Sequence, residues 1–302
     1  MVYSMVAATV LLALLSLYFL AQSLNGSTGQ RIIRLLFAIS FACFIYLYGC
    51  WVFLSVYLKY AFAIATLIAC MTAIFKRRKI PGRRRSVFAQ LFFAVIFTTI
   101  NIMYFTGTTG TPETVDLSFP LKGDSYLVFQ GGKGLPTNLF HYSYRGAIYA
   151  IDLIKLDNVG RRGKHIFSAN LNDYYTFGDT VYSPCNGRII KTQTSNPDNI
   201  PPSRERGPTN TNQVLIDGGS YFVFLGHLKQ YSLLVHEGDS IVAGQPLAQV
   251  GNSGFSLEPH LHIQVHAKEE GKPWYKGRPL YIQFNGRSYR LFQEIDTKHL
   301  DK

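Results

Sequence analysis

The sequence predicts a four-helix transmembrane region followed by an all-β domain built from antiparallel strands. Three observations predict it. Residues 1–106 contain ten Lys or Arg and no Asp or Glu, and they are dominated by long apolar runs. From residue 107 onward the pattern changes to short β-like runs separated by Gly-, Pro- and Asn-rich turns. The charge divides at the same place: of 30 Lys and Arg against 18 acids in the whole chain, the last 196 residues hold 20 basic residues and all 18 acids. Ten of the net +12 therefore belong to the first third. A nucleic-acid-binding reading based on overall charge loses its basis, because the β domain is nearly balanced.

Four runs fit the roughly 20 apolar residues that cross a bilayer. They cover 2–22, 35–57, 60–75 and 87–106, the third being short and extendable at its ends. The segment "KRRKIPGRRR" at 76–85 puts seven positive charges between spans three and four, Arg31 and Arg34 flank span two, and Lys59 falls between spans two and three. By the excess of Lys and Arg in cytoplasmic loops, residues 23–34 and 76–85 are expected inside and both termini outside. Span one lacks a basic leader and an A-x-A site, which argues against a cleaved signal peptide.

Residues 107–120, "GTTGTPETVDLSFP", read as a linker, and 121–297 as the β domain. Its expected strands include "SYLVF" (125–129), "AIYAIDLI" (147–154), "GRIIKT" (187–192), "NQVLID" (212–217), "SYFVFLGHL" (220–228), "QPLAQVG" (245–251) and "HLHIQVH" (260–266). The segments 156–178 and 194–211 are expected to be long loops walling a groove. Only Cys185 falls in this domain, so an internal disulfide is excluded there.

The segment "EPHLHIQVH" at 258–266 carries the functional signal. Residues i and i+2 share a strand face, so His260 and His262 are neighbours, roughly 7 Å apart along the strand. Leu261, Ile263 and Val265 take the core face. Paired imidazoles on one face suit a metal or a proton-transfer site. No HExxH helix motif occurs, so any metal site must be assembled from separated β segments. Asp152 lies inside an apolar strand, where an unpaired carboxylate is costly. His165, His236, His266 and His299 read as solvated polar residues.

Four stretches in order resemble the lysostaphin- or LytM-type zinc endopeptidases. "GNSGFSLEPHLHIQV" (251–265) is similar to the family's G-x-T/S-G-x-S-x-x-P-H-L-H signature, and "FLGHL" (224–228) to its Y-x-H-L. "LLVHEGDSIVAGQPLAQVG" (233–251) and "GDTVYSPCNGRII" (178–190) resemble two further motifs, so that the resemblance covers about residues 131–285. The family's first motif, H-x-x-x-D, departs here: four residues before Asp152 stands Ile148, and the nearest upstream histidine is His141, eleven residues ahead.

The resemblance implies one Zn²⁺ ion held by His141, Asp152 and His262, with His227 and His260 as the catalytic histidines and Glu258 available to share the base role. It implies a membrane-anchored zinc metalloendopeptidase that cleaves peptidoglycan peptides, embedded in the lipid bilayer of a bacterial inner membrane, with its domain on the periplasmic or extracellular side. The alternative is a catalytically inactive LytM-type regulator of cell-wall hydrolases. A small transporter with an external domain is disfavoured, because the spans contain no acidic residue to mark an ion path.

Overall fold

The computed structural model describes residues 2–23, 26–75, 84–203 and 207–297. Positions 76–83 of the basic loop, and His299, lie outside them. The chain divides into two compact units, Met1–Thr106 with Val159–Arg161, and Gly107–Asn158 with Arg162–Lys302.

The first unit contains α1 (Val2–Gln22), α2 (Thr28–Tyr48), α3 (Val56–Phe75) and α4 (Arg84–Thr106). By length and composition these four helices are long and apolar enough to cross a membrane. They pack through aromatic side chains, with the Phe41 ring 5.9 Å from Phe37 and 4.9 Å from Phe97. Asn101 Nδ2 donates to Ser40 O at 2.8 Å and Tyr48 Oη to Ile100 O at 2.8 Å, the kind of polar contact that joins helices in lipid.

Several helix limits differ from the sequence expectation. The second span, expected over 35–57, begins at Thr28 because Gln30 Oε1 accepts the Ser27 N–H at 3.2 Å and caps the helix start. It ends at Gly49, whose N–H donates to Ile45 O at 2.9 Å, and a Cβ at Gly49 would collide with that carbonyl. Trp51 Nε1 donates to the same oxygen at 2.9 Å, so the chain turns there instead of continuing. Consequently α3 starts early and includes Lys59 in its first turn, not in a loop. Lys59 is buried along its stem, and its ammonium lies 4.7 Å from the Tyr46 ring centroid, an aromatic face that tolerates a cation away from water.

The second unit is the β domain. Its strands are β1 (Thr114–Leu117), β2 (Ser125–Gln130), β3 (Ile151–Leu156), β4 (Thr180–Tyr182), β5 (Gly187–Gln193), β6 (Gln213–Asp217), β7 (Tyr221–Gly226), β8 (Ser240–Ile241), β9 (Pro246–Gln249), β10 (Leu261–Ala267), β11 (Pro279–Phe284) and β12 (Glu294–Asp296). The main sheet runs β12-β2-β3-β10-β7-β6-β5-β8, all antiparallel, with β11 pairing the far part of β10. The expected linker contains β1, which pairs with β11 in parallel. "TVDL" alternates, and it buries Val115 and Leu117 while exposing Thr114 and Asp116. The tether is thus shorter than residues 107–120.

Three adjacent strands, β3, β10 and β7, carry most of the site. Leu261, His262 and Ile263 stand opposite Leu153, Asp152 and Ile151 on one side, and His262 stands opposite Gly226 on the other. Alternation sends Ile151, Leu153, Leu261, Ile263, Val223 and Leu225 into one core, where each is fully buried. The small β4–β9 sheet adds Val181, Leu247 and Ala248 to the same core.

Leu225→Ala, at a fully buried position on β7, is expected to destabilise the β domain by about 3 kcal/mol, from lost burial plus a cavity. Val242→Ala, at a residue 61% exposed, should change stability by less than about 0.5 kcal/mol. Denaturant unfolding of the detergent-solubilised chain, followed by near-ultraviolet circular dichroism, checks the contrast; equal effects would mean that the core is assigned wrongly.

Candidate metal centre

Asp152 and His262 meet because the β3–β10 register places them opposite each other; His262 Nδ1 lies 2.9 Å from Asp152 Oδ1. His141 comes from outside the sheet, on the single helical turn α5 (Leu139–Tyr142), and its Nε2 lies 3.3 Å from Asp152 Oδ2. These three residues are buried, and one donor atom from each lies within 4.8 Å of the other two.

Neighbouring groups set which ring nitrogen of His141 faces the site. Asn138 uses both amide hydrogens on the carbonyls of Ile148 and Ala150, each at 3.0 Å. Its Oδ1 is left as an acceptor and takes the His141 Nδ1–H at 2.8 Å. His141 Nε2 therefore turns a lone pair toward the Asp152 carboxylate. His262 Nε2 contacts Gln264 Oε1 at 3.1 Å, which turns its Nδ1 toward Asp152 in the same way. A ring nitrogen held against a carboxylate oxygen needs a proton or a cation between them. Tetrahedral zinc with nitrogen ligands near 2.05 Å separates its ligand atoms by about 3.3 Å, close to the spacings found. The donor set fits a zinc ion.

His260 and His227 border this triad. His260 Nε2 lies 3.5 Å from Asp152 Oδ1, and its Nδ1–H donates to Glu258 O at 2.8 Å. His227 Nδ1–H donates to Ser253 O at 2.8 Å. Both rings thus offer an Nε2 lone pair, with centroids 4.6 Å apart. His227 has φ of 61°, a left-handed backbone rare for a side-chain-bearing residue and frequent at functional sites. The turn 251–254 holds it: Gly251 N–H donates to His227 O at 2.9 Å. Gly254 is left-handed too, and a Cβ there would overlap Thr211.

Burial opposes ionisation of Asp152, but His141 and His260 overcome that and hold its carboxyl well below the ordinary range. Burial likewise works against a charged His141, yet the Asp152 carboxylate beside it pushes the net pKa up. His227 is driven well below its ordinary value by burial and by His260 and His262. Burial also lowers His260, against the pull of Asp152. These surroundings favour a proton on His141 over one on His227 or His260.

The sequence does not reveal the groups that hold these rings. Glu258 is neither a free base nor a surface residue: its carboxylate is buried against the Arg162 guanidinium at 2.8 Å, while its backbone carbonyl orients His260. Arg162 also donates to Ile166 O at 2.7 Å and lies 5.3 Å from the Tyr174 ring centroid. Asn212 ties the loop after β5 to the site turn, giving Nδ2 to Asn196 O and Leu228 O and taking the Asn196 N–H on Oδ1. Among the other histidines, His165 and His236 are exposed. His266, expected in solvent, is instead fully buried, with Nδ1 donating to Gly277 O at 2.9 Å and its ring against Trp274. A cavity of about 330 Å³ opens onto the triad. Its walls are Phe140, Tyr144, Phe224, Phe255 and Leu257; of the expected wall loops, only Thr211 reaches it among the described residues.

Residues 172–274 match the sequence model of peptidase family M23, a segment that includes His227, His260 and His262 and excludes His141 and Asp152. A search of curated proteins found no match. Similar solved structures include a zinc-containing peptidase from Vibrio cholerae, 25% identical over 34% of this chain and 26% of that one, with a TM-score of 0.25. The catalytic domain of lysostaphin from Staphylococcus simulans is 20% identical over 48% of this chain and 80% of that one, with a TM-score of 0.27. A putative peptidase M23 from Pseudomonas aeruginosa is 16% identical over 64% of this chain and 60% of that one, with a TM-score of 0.29. The chain thus spans about a quarter of the first of these proteins. The sequence match to peptidase family M23 thus falls on three of the four histidines gathered around Asp152.

Proposed function

We propose that this chain is a membrane-anchored zinc metalloendopeptidase that hydrolyses peptide cross-links of bacterial peptidoglycan, with its β domain on the periplasmic or extracellular side of the cytoplasmic membrane. The donor set of His141, Asp152 and His262 carries the reading: two imidazole lone pairs converge on one buried carboxylate. His141, Asp152 and His262 would hold the ion. When bound, zinc supplies a Lewis acid and brings a water near a pKa of about 7.

The remaining chemistry belongs to His227 and His260. Each offers an Nε2 lone pair, so each can take a proton, and neither can donate from Nε2 until it has done so. With their rings this close, a second proton on the pair is opposed by the first. One histidine therefore accepts the proton of the attacking water. The resulting imidazolium is then the donor available to the developing oxyanion and to the departing amine. The apolar walls exclude water around this transfer and suit an extended peptide with small side chains. The orientation rests on the seven positive charges at 76–85 and on Arg31 and Arg34 in the first turns of α2, which the positive-inside rule assigns to the cytoplasmic side.

The zinc-loaded chain in detergent should release uncross-linked muropeptides from purified sacculi, and a chelator should stop the release. Unchanged cross-linking with zinc in the site would favour the inactive regulator instead.

His141→Ala, Asp152→Ala and His262→Ala should each lose most of the bound zinc. His227→Ala and His260→Ala should retain it while turnover falls about 10²-fold or more. Loss of metal from His260→Ala would mean that the roles in "HLH" are reversed, and full zinc in His141→Ala would remove His141 from the ligand set.

Zinc binding should also release a proton from His141. Because that pKa lies above the ordinary histidine value, affinity is greatest above the raised pKa and declines as pH falls through it. The decline is about tenfold per pH unit for each proton displaced. Competition with a chromophoric chelator between about pH 5.5 and 8 measures this; an affinity independent of pH would contradict it.

A further inference from the structure

One face of β10 presents His260, His262, Gln264 and His266 in turn, because residues two apart in a strand share a face. The first three line the cavity. His266 is fully buried against Trp274, so along this strand the cavity ends at Gln264. Gln264 also stands where the strand is least covered. The β3 ladder stops at Ile263, opposite Ile151, and the β11 ladder starts at Val265, opposite Leu280. Gln264 has no strand partner on that flank among the described residues, and it is partly exposed.

The two ends of its amide are not equivalent. With His262 Nδ1 in the donor set, the ring proton of His262 is on Nε2, and Gln264 Oε1 accepts it at 3.1 Å. That contact turns Gln264 Nε2, with its two hydrogens, the other way. Gln264 Nε2 has no hydrogen-bond partner among the described residues, and it is not one of the unpaired polar atoms closed off from solvent. The two carboxylates that line the cavity are already engaged, Asp152 with its histidines and Glu258 with Arg162. Phe224, the residue opposite on β7, has no acceptor in its side chain. An oriented donor is thus open to whatever fills the cavity, and the acceptor it lacks must come with the occupant. Every residue of an extended peptide carries such an acceptor in its carbonyl.

We propose that Gln264 is a substrate-binding residue: its Nε2 donates to a backbone carbonyl of the peptide that crosses the metal centre, while its Oε1 steadies the His262 ring. This rests on the peptidase reading above and adds to it a contact that sets how the peptide lies along β10. An extended peptide repeats about every 7 Å per two residues, as the strand beneath it does. The carbonyl that meets Gln264 therefore belongs to a residue about two positions from the bond at the metal. Substitution can separate the two ends of the amide. Glu keeps an acceptor for His262 and has no N–H; Met is close to Gln in length and has neither.

The test uses the full chain in detergent, loaded with zinc and carrying His227→Ala so that turnover is suppressed. Binding of a fluorescein-labelled cross-linked muropeptide is read by anisotropy at about pH 8, where a glutamate is ionised. Zinc affinity is read by competition with a chromophoric chelator. Gln264→Glu should weaken peptide binding about tenfold or more, yet hold zinc as tightly as the background chain or more tightly, since a carboxylate behind a ligating histidine makes it a better ligand. Gln264→Met should weaken the peptide by a similar factor at saturating zinc and should also lower zinc affinity by about 10- to 100-fold. A merely structural role predicts no such split between the variants. Parent-like peptide affinity in either variant would overturn the proposal. Zinc affinity falling as far in Gln264→Glu as in Gln264→Met would overturn it too, because the amide would then face His262 with its nitrogen. If Gln264→Glu does not fold, the peptide affinity of Gln264→Met decides alone. A background chain that binds no peptide would also overturn it. If the zinc-loaded parent then left sacculi undigested, the peptidase reading would fall as well, whereas digestion by the parent would remove Gln264 alone.

Discussion

The pairing of Asp152 on β3 with His262 on β10 is the constraint from which the rest of the site follows. Their contact at 2.9 Å is not what creates the register. A net hydrogen bond contributes about 1 kcal/mol. The flanking residues Ile151, Leu153, Leu261 and Ile263 are each fully buried, and each contributes on the order of 2 kcal/mol by leaving water. A slip of one residue would send these four toward the cavity and the carboxylate and histidines into the core. The apolar face therefore decides the register, and the polar face inherits it. The core and the chemistry of this domain are two sides of one strand pair.

A single buried carboxylate then stands among four imidazoles. Asp152 supplies the only negative charge of the cluster, so it stays ionised by its neighbours against the penalty of burial. The two outer rings, His227 and His260, are kept neutral chiefly by burial, which is what proton acceptors near neutral pH require. Their donors point away from the cavity to the carbonyls of Ser253 and Glu258. The backbone thus fixes two tautomers at once. The left-handed backbone of His227 is held by the turn after β9 through both Gly251 and Ser253.

Much of this was legible before the fold was known, and the limits of that legibility are physical. Four long apolar runs and the alternation of "HLHIQVH" depend only on local periodicity, and they read correctly. Helix ends depend on particular capping contacts, so α2 begins at Ser27 and Gln30 and stops at Gly49, neither of which hydropathy reports. Lys59 reads as a loop residue because its charge is visible and the Tyr46 ring beneath it is not. The strand in "TVDL" was passed over within a Gly- and Thr-rich stretch although its alternation is present. His266 appears polar by type, whereas Trp274 and the Gly277 carbonyl make it a packed residue. Arg162 and Asn138 act through contacts with Glu258 and with the carbonyls of Ile148 and Ala150, and no local pattern marks them.

Asn138 carries one further consequence. Its amide is clamped to Ile148 and Ala150, at the entrance to β3, while its carbonyl grips His141. The position of His141 over Asp152 is thereby set by a bridge across the connecting segment and not by the number of residues in it. The interval between the two donors becomes a free variable of the architecture. Eleven residues separate His141 from Asp152, and the bridge still brings their side chains to 3.3 Å, so the spacing along the chain need not match the spacing in space.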